Sequence, residues 1–346
     1  MAPSLAAQKR ASGAPVFLIS LWRAFLRPTA WMTCFLGVAS FSLIGALPVY
    51  RWVNDTLEHR YEPGSQLHSF DMILRTDHGG ELTQLFGSVA ASSGWLALFV
   101  MLFGVFTAGG WVRVVADPHQ RSGRLFFAGG ARYYWRFLRL ALLVLLLLSA
   151  VTWLIQGSLW DRWVLEGLLG WEDAKSEYAQ SERLVVQATW LQDVLYLVGV
   201  SLVLVWAVFT RVRMALENSQ SCFVAGLSSF WLILRHPLAT LRPMILLGLL
   251  EGSVLVLMGW LVRWLQGLLE GAGGTTLGAW VVFVLIVLGL LGLMVREVVH
   301  GARYATAMMI SRALVRPLVA DPWGDQIGGP GGPQYPLGDD EFRIAL

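Results

Sequence analysis

The chain has 346 residues, 56% of them hydrophobic and only 14% charged, with a formal net charge of +3 and a mean hydropathy of +0.59. Soluble domains carry about one quarter charged residues, so an ordinary soluble globular protein is excluded. The long apolar runs lack the alternation of barrel strands, which excludes a transmembrane β-barrel.

The N-terminal segment holds Lys9 and Arg10 and leads into Leu21-Trp22-Arg23-Ala24-Phe25-Leu26-Arg27. Two stretches of the same kind follow, Tyr134-Trp135-Arg136-Phe137-Leu138-Arg139 and Phe230-Trp231-Leu232-Ile233-Leu234-Arg235. Each predicts an interfacial amphipathic helix, in which arginines snorkel to phosphates while rings sit at headgroup depth. Trp22, Arg23, Arg27, Trp135, Arg136, Arg139, Trp231 and Arg235 are therefore candidate contacts with membrane lipids. Pro28 and Pro237 follow two of the stretches, where a proline marks a boundary between interfacial helix and span.

Six apolar spans are predicted at about 30–50, 93–112, 138–157, 194–211, 244–262 and 278–299. A hydrocarbon core of about 30 Å needs about 20 helical residues, and a helix satisfies its own backbone in lipid. Residues 140–155 and 194–210 contain no charge at all. The first span is too long and too far from the terminus for a cleaved signal peptide and reads as a retained anchor.

Charge sets the expected topology. The segment after span two holds Arg113, Arg121, Arg124, Arg132, Arg136 and Arg139 against Asp117, and that after span four holds Arg211, Arg213, Arg235 and Arg242 against Glu217. The segments after spans one and three are acidic, with Asp55, Glu58, Glu62, Asp71, Asp77 and Glu81 in the first and Glu172, Asp173, Glu177, Glu182 and Asp193 among those in the second. Arginine bias marks the cytoplasmic side, so both termini are expected in the cytoplasm and the acidic loops outside. Neither Cys34 nor Cys222 then meets an oxidising space, and no disulfide is expected.

The spans fall into three pairs. An offset of 100 places Arg113 on Arg213, Asp117 on Glu217 and Gln120 on Gln220, and the third pair ends with Arg296, Arg303 and Arg312. The expected fold is all-α and integral to the membrane: six transmembrane helices as three parallel helix-pair repeats, about 14–115, 120–215 and 220–315, each preceded by an interfacial helix. Residues 1–320 form the membrane domain. Residues 321–346, rich in Gly and Pro, predict a mobile cytoplasmic tail. In the second outer loop Trp160, Trp163, Leu165, Leu168, Leu169 and Trp171 recur at near-helical spacing. Trp160, Trp163 and Trp171 are candidate partner contacts.

Glu251 is the one acid well inside a span, and such a residue costs about 2.5–3.5 kcal/mol to insert unless it faces the interior with a partner. Gly248 and Gly252 flank it as a small-xxx-small pair that permits close helix approach. These three residues form the candidate intramembrane polar site. It reads either as a solute or proton site or as a hydrogen-bonded structural carboxyl. His59, His68 and His78 share an outer loop with Asp71 and Asp77, but their spacing fits no metal-ligand pattern. No phosphate loop, H-E-x-x-H or C-x-x-C is present. Ser92-Ser93-Gly94 lacks any histidine in a span to act as base. No catalytic residue, metal or cofactor is expected, and positive-inside topology accounts for the basic loops without nucleic acid.

The run Phe230-Trp231-Leu232-Ile233-Leu234-Arg235-His236-Pro237, entering a span after an arginine-marked exit, resembles a pattern in bacterial polytopic proteins. These include the membrane-domain family attached to some glycerophosphodiester phosphodiesterases. The resemblance covers the inner loops and span boundaries. It implies a bacterial inner-membrane protein and transfers no active site. The expected function is a non-enzymatic scaffold or accessory subunit of a larger membrane assembly, with lipids and other membrane proteins as partners. The alternative is a small-solute or lipid transporter with Glu251 in its pathway.

Overall fold

The computed structural model describes residues 14–57, 79–116, 123–167, 182–271 and 275–314. These residues are helical apart from short turns, and no strand occurs among them. In chain order the helices are α1 (Ala14–Phe25), α2 (Pro28–Leu57), α3 (Gly79–Ala116), α4 (Gly123–Gln156), α5 (Glu182–Leu216), α6 (Cys222–Arg235), α7 (Pro237–Gly271) and α8 (Thr275–Leu314), with a π-helical turn over Trp160–Glu166. Six of them, α2, α3, α4, α5, α7 and α8, are long and apolar enough to cross a membrane. The protein is a multi-pass membrane protein.

Every spanning helix outruns its apolar window. A hydropathy window sees the stretch that hydrocarbon demands, whereas the backbone ladder continues until a breaker stops it. In α8 the excess falls mostly past the expected end of the span. The helix runs unbroken to Leu314, so Arg296, Arg303 and Arg312 stand on the helix itself rather than beyond a span that ends near 299.

The breakers are local. Pro28 and Pro237 each occupy the first position of a span, where the missing N–H costs nothing. Trp31 Nε1 donates to the Phe25 carbonyl at 3.2 Å and closes the end of α1. Ser221 caps α6 by accepting from the Val224 amide at 3.4 Å. Between α5 and α6, Asn218 takes a left-handed φ of 46° while the Ser219 amide bonds the Met214 carbonyl at 3.1 Å, a turn asparagine tolerates.

The second Trp-basic stretch is not a separate helix. It lies within α4, which is continuous from Gly123 to Gln156. The position matching Pro28 and Pro237, six residues after the tryptophan, is Ala141 here, and alanine does not interrupt a helix. Ala141→Pro is expected to break α4 at this point, removing the Phe137 carbonyl's partner and costing about 3 kcal/mol or more. A thermal unfolding midpoint in detergent equal to that of the parent chain would contradict the continuity of α4.

Helix packing concentrates at one end of the bundle, the end that bears Arg113, Arg213, Arg242 and Arg312 and is called the basic end here. Lipid offers no hydrophobic drive between helices, so small residues that allow close approach decide the contacts. Gly109 of α3 meets Gly129 and Gly130 of α4, while Gly110 makes room for the Phe126 ring. A Cβ on Gly109 would stand 2.8 Å from the Gly129 carbonyl oxygen and 3.1 Å from the Gly130 Cα. Gly301 of α8 is the notch that receives the fully buried Trp111 indole. Ala302, Ala305, Thr306 and Ala307 are likewise buried, so α8 packs centrally against α1, α2, α3, α5 and α7. The Thr306 hydroxyl donates to Ser20 Oγ at 2.7 Å and fastens α1 to this central helix.

The other half of the bundle is dressed for lipid. Tyr50, Trp95, Trp153, Trp190, Trp260 and Trp280 are exposed, one on each spanning helix. Trp95 lies about 27 Å from Arg113 along α3, and Trp190 about 31 Å from Arg211 along α5, at 1.5 Å per residue. Both match the about 30 Å of a hydrocarbon core between an aromatic belt and a basic one.

Candidate functional site: a charged cluster on α5, α7 and α8

Glu251 sits on α7 about 14 Å along the axis from Arg242 and about 20 Å from Trp264, within the membrane-spanning part of the helix. Its carboxylate is met by two guanidiniums of α8. Arg303 Nη2 donates to Oε2, and Arg296 Nε stands 3.8 Å from Oε1. The Glu251 side chain is 19% exposed, against 30% for Arg303 and 58% for Arg296. The partners of the carboxyl are thus two arginines of the same chain.

More charge gathers around this pair. Arg296, His300 and Arg303 share one face of α8 because their spacing is four and then three residues. Buried Glu297 lies within electrostatic reach of Arg296 and Glu251. His300 lies within reach of Arg303, Arg211 and Arg296, and its ring stands edge-on to Tyr304 at 5.3 Å. Arg211 of α5 completes the group by donating from Nη1 to the Tyr304 hydroxyl at 2.8 Å. The arrangement can hold three helices in register.

Gly248 and Gly252 stand elsewhere. A Cβ on either would meet nothing within 4 Å, so the close helix approach expected beside Glu251 is not made among the described residues. Arg211, Arg296, Glu297, His300, Arg303 and Tyr304 do not stand out in the sequence as parts of this site, because arginines after a span read equally well as markers of topology.

The interfacial candidates share a register. Trp22, Trp135 and Trp231 are all exposed, while Ser20, Tyr133 and Ser229, two residues earlier, and Val16, Gly129 and Ala225, six residues earlier, are all buried. The outward faces are apolar rather than polar: Leu18, Ile19 and Phe25 on α1, and Phe223, Leu227 and Phe230 on α6 are exposed. Arg23, Arg139 and Arg235 are exposed as well. Arg136 instead donates to Asn218 Oδ1 at 2.7 Å, which joins α4 to the turn after α5. Arg27 lines a cleft of about 430 Å³ at the α1–α2 elbow, with Phe25, Leu26, Pro28, Thr29, Trp31 and Val114.

Of the three tryptophans expected to face a partner, Trp160 is turned into the chain, packed with Leu165 and Ala188 in a small second core. Trp163 is exposed, and Trp171 lies outside the described residues, as do His59, His68, His78 and the 321–346 segment. Among the described residues no three His, Cys, Asp or Glu side chains are grouped to hold a metal ion, and Cys34 and Cys222 are both free. No family model, no curated protein and no solved structure matches this chain, so its function is argued from its own residues.

Proposed function

We propose that the protein is a non-enzymatic scaffold or accessory subunit of a larger bacterial inner-membrane assembly. It has both termini in the cytoplasm and three parallel helix-pair units, one for each Trp-basic stretch. The common register of the three tryptophans, outward with buried residues two and six positions before, supports the threefold reading. The observation that carries the functional reading is the state of Glu251. The acid that a transport pathway would use is occupied by Arg303 and Arg296 of the same chain. Meanwhile the exposed Trp163 and the open Gly248 and Gly252 offer surfaces for other membrane proteins. Membrane lipids are the remaining partners.

The transport alternative draws support from a different fact. Glu251 and Glu297, with His300 and the arginines beside them, form a larger charge cluster than a single intramembrane acid would make. The discriminating experiment is purification from the native membrane in mild detergent, followed by mass spectrometry of what co-migrates, with the parent chain and Trp163→Ala. A stoichiometric protein partner lost in Trp163→Ala is expected. A solitary protein whose reconstituted vesicles take up solute, and cease to do so in a folded Glu251→Gln variant, would establish the transport reading instead.

A further inference from the structure

We propose that the α5–α8 seam at the basic end binds the phosphate group of an anionic membrane lipid, with Arg211 as its anchor. The charges of the cluster do not balance within the described residues. Two carboxylates, Glu251 and Glu297, answer two guanidiniums, Arg296 and Arg303. Arg211 is the third. Its described partners are the Tyr304 hydroxyl and the nearby His300 ring, and neither is an acid. Its Nε is shut off from solvent with no acceptor among the described residues.

The neighbouring arginine shows the contrast. Arg213 has its own carboxylate, with Nε and Nη2 donating to Glu217 Oε1 at 2.9 Å and 2.6 Å. The last turns of α5 thus hold one compensated guanidinium and one that meets no anion among the described residues. A partly buried cation without a counter-charge is costly, and hydrogen-bonded anions relieve that cost.

Depth names the source. Arg211 lies about 31 Å along α5 from Trp190, so if that belt marks one bilayer interface, Arg211 stands at the phosphate level of the other. Its side chain is partly exposed there. A planar guanidinium between two helices suits a phosphate, and basic pockets between spans are where anionic headgroups bind.

The test titrates short-chain phosphatidylglycerol, phosphatidylcholine or inorganic phosphate into the full chain in mild detergent and follows the thermal midpoint. A saturable rise with phosphatidylglycerol alone is expected. Arg211→Gln should weaken its apparent affinity about fivefold or more, the scale of one basic residue at an anionic surface, whereas Arg263→Gln, at the opposite end, should retain it. Arg211→Lys keeps the charge without the planar fork and should fall between. The proposal is overturned if the parent chain ignores phosphatidylglycerol, or if inorganic phosphate produces the same rise. It is equally overturned if Arg211→Gln binds as the parent does. Should Arg211→Gln not fold, Arg211→Lys decides: affinity equal to the parent overturns the proposal, and a drop supports it.

Discussion

Glu251→Gln is expected to destabilise the chain by about 2–3 kcal/mol, below the about 3–5 kcal/mol that removing one partner of a fully buried ion pair costs. The amide leaves Arg296 and Arg303, two turns apart on one face of α8, without the carboxylate of α7 that both meet, and Glu297 lies near Arg296 alone of the two. The pair is only partly enclosed, Arg296 being 58% exposed, and this holds the figure below that of a sealed pair. The variant should melt earlier in detergent, and Arg303→Gln on the same background should recover part of the loss by removing the orphaned cation. A Glu251→Gln chain as stable as the parent would mean that the carboxylate does not hold α7 against α8.

Gly109→Leu is expected to cost about 3 kcal/mol or more and to loosen α3 from α4. At this position a side chain meets the backbone of Gly129 and Gly130 rather than the movable end of another side chain, so the helices themselves must part. Overpacking a core usually costs about 1–3 kcal/mol where side chains can adjust. Gly252→Leu supplies the contrast. Its Cβ opens on unoccupied space, and in detergent it should stay within about 0.5 kcal/mol of the parent, as surface changes do. Equal melting of the two variants would contradict the glycine-on-glycine crossing.

The six spans and the outlying Glu251 were legible because lipid imposes length and apolarity so strictly that composition alone reveals them. What composition hid was the face on which a charge stands. Arg296 and Arg303 read as markers beyond a span because a hydropathy window averages around the helix, and one charged face of α8 vanishes in that average. Spacing held the missing signal. Arg296, His300 and Arg303 recur on one helix face, and counting back through the short connection at 272–274 brings that part of α8 level with Glu251 on the antiparallel α7. The fusion of the second Trp-basic stretch into α4 was legible too, in the absence of a proline where Pro28 and Pro237 stand. The seating of Trp111 against Gly301 was not, because nothing in a single sequence says which glycine meets which ring.

We propose that Glu251 is a structural ion-pair partner. A double-mutant cycle on Glu251→Gln and Arg303→Gln, read as unfolding free energy in lipid nanodiscs, tests it most directly. A coupling of about 1.5 kcal/mol or more is expected if the pair holds α7 to α8. Additivity within about 0.5 kcal/mol, with every variant folded, would contradict the claim and leave Glu251 free for a transport role.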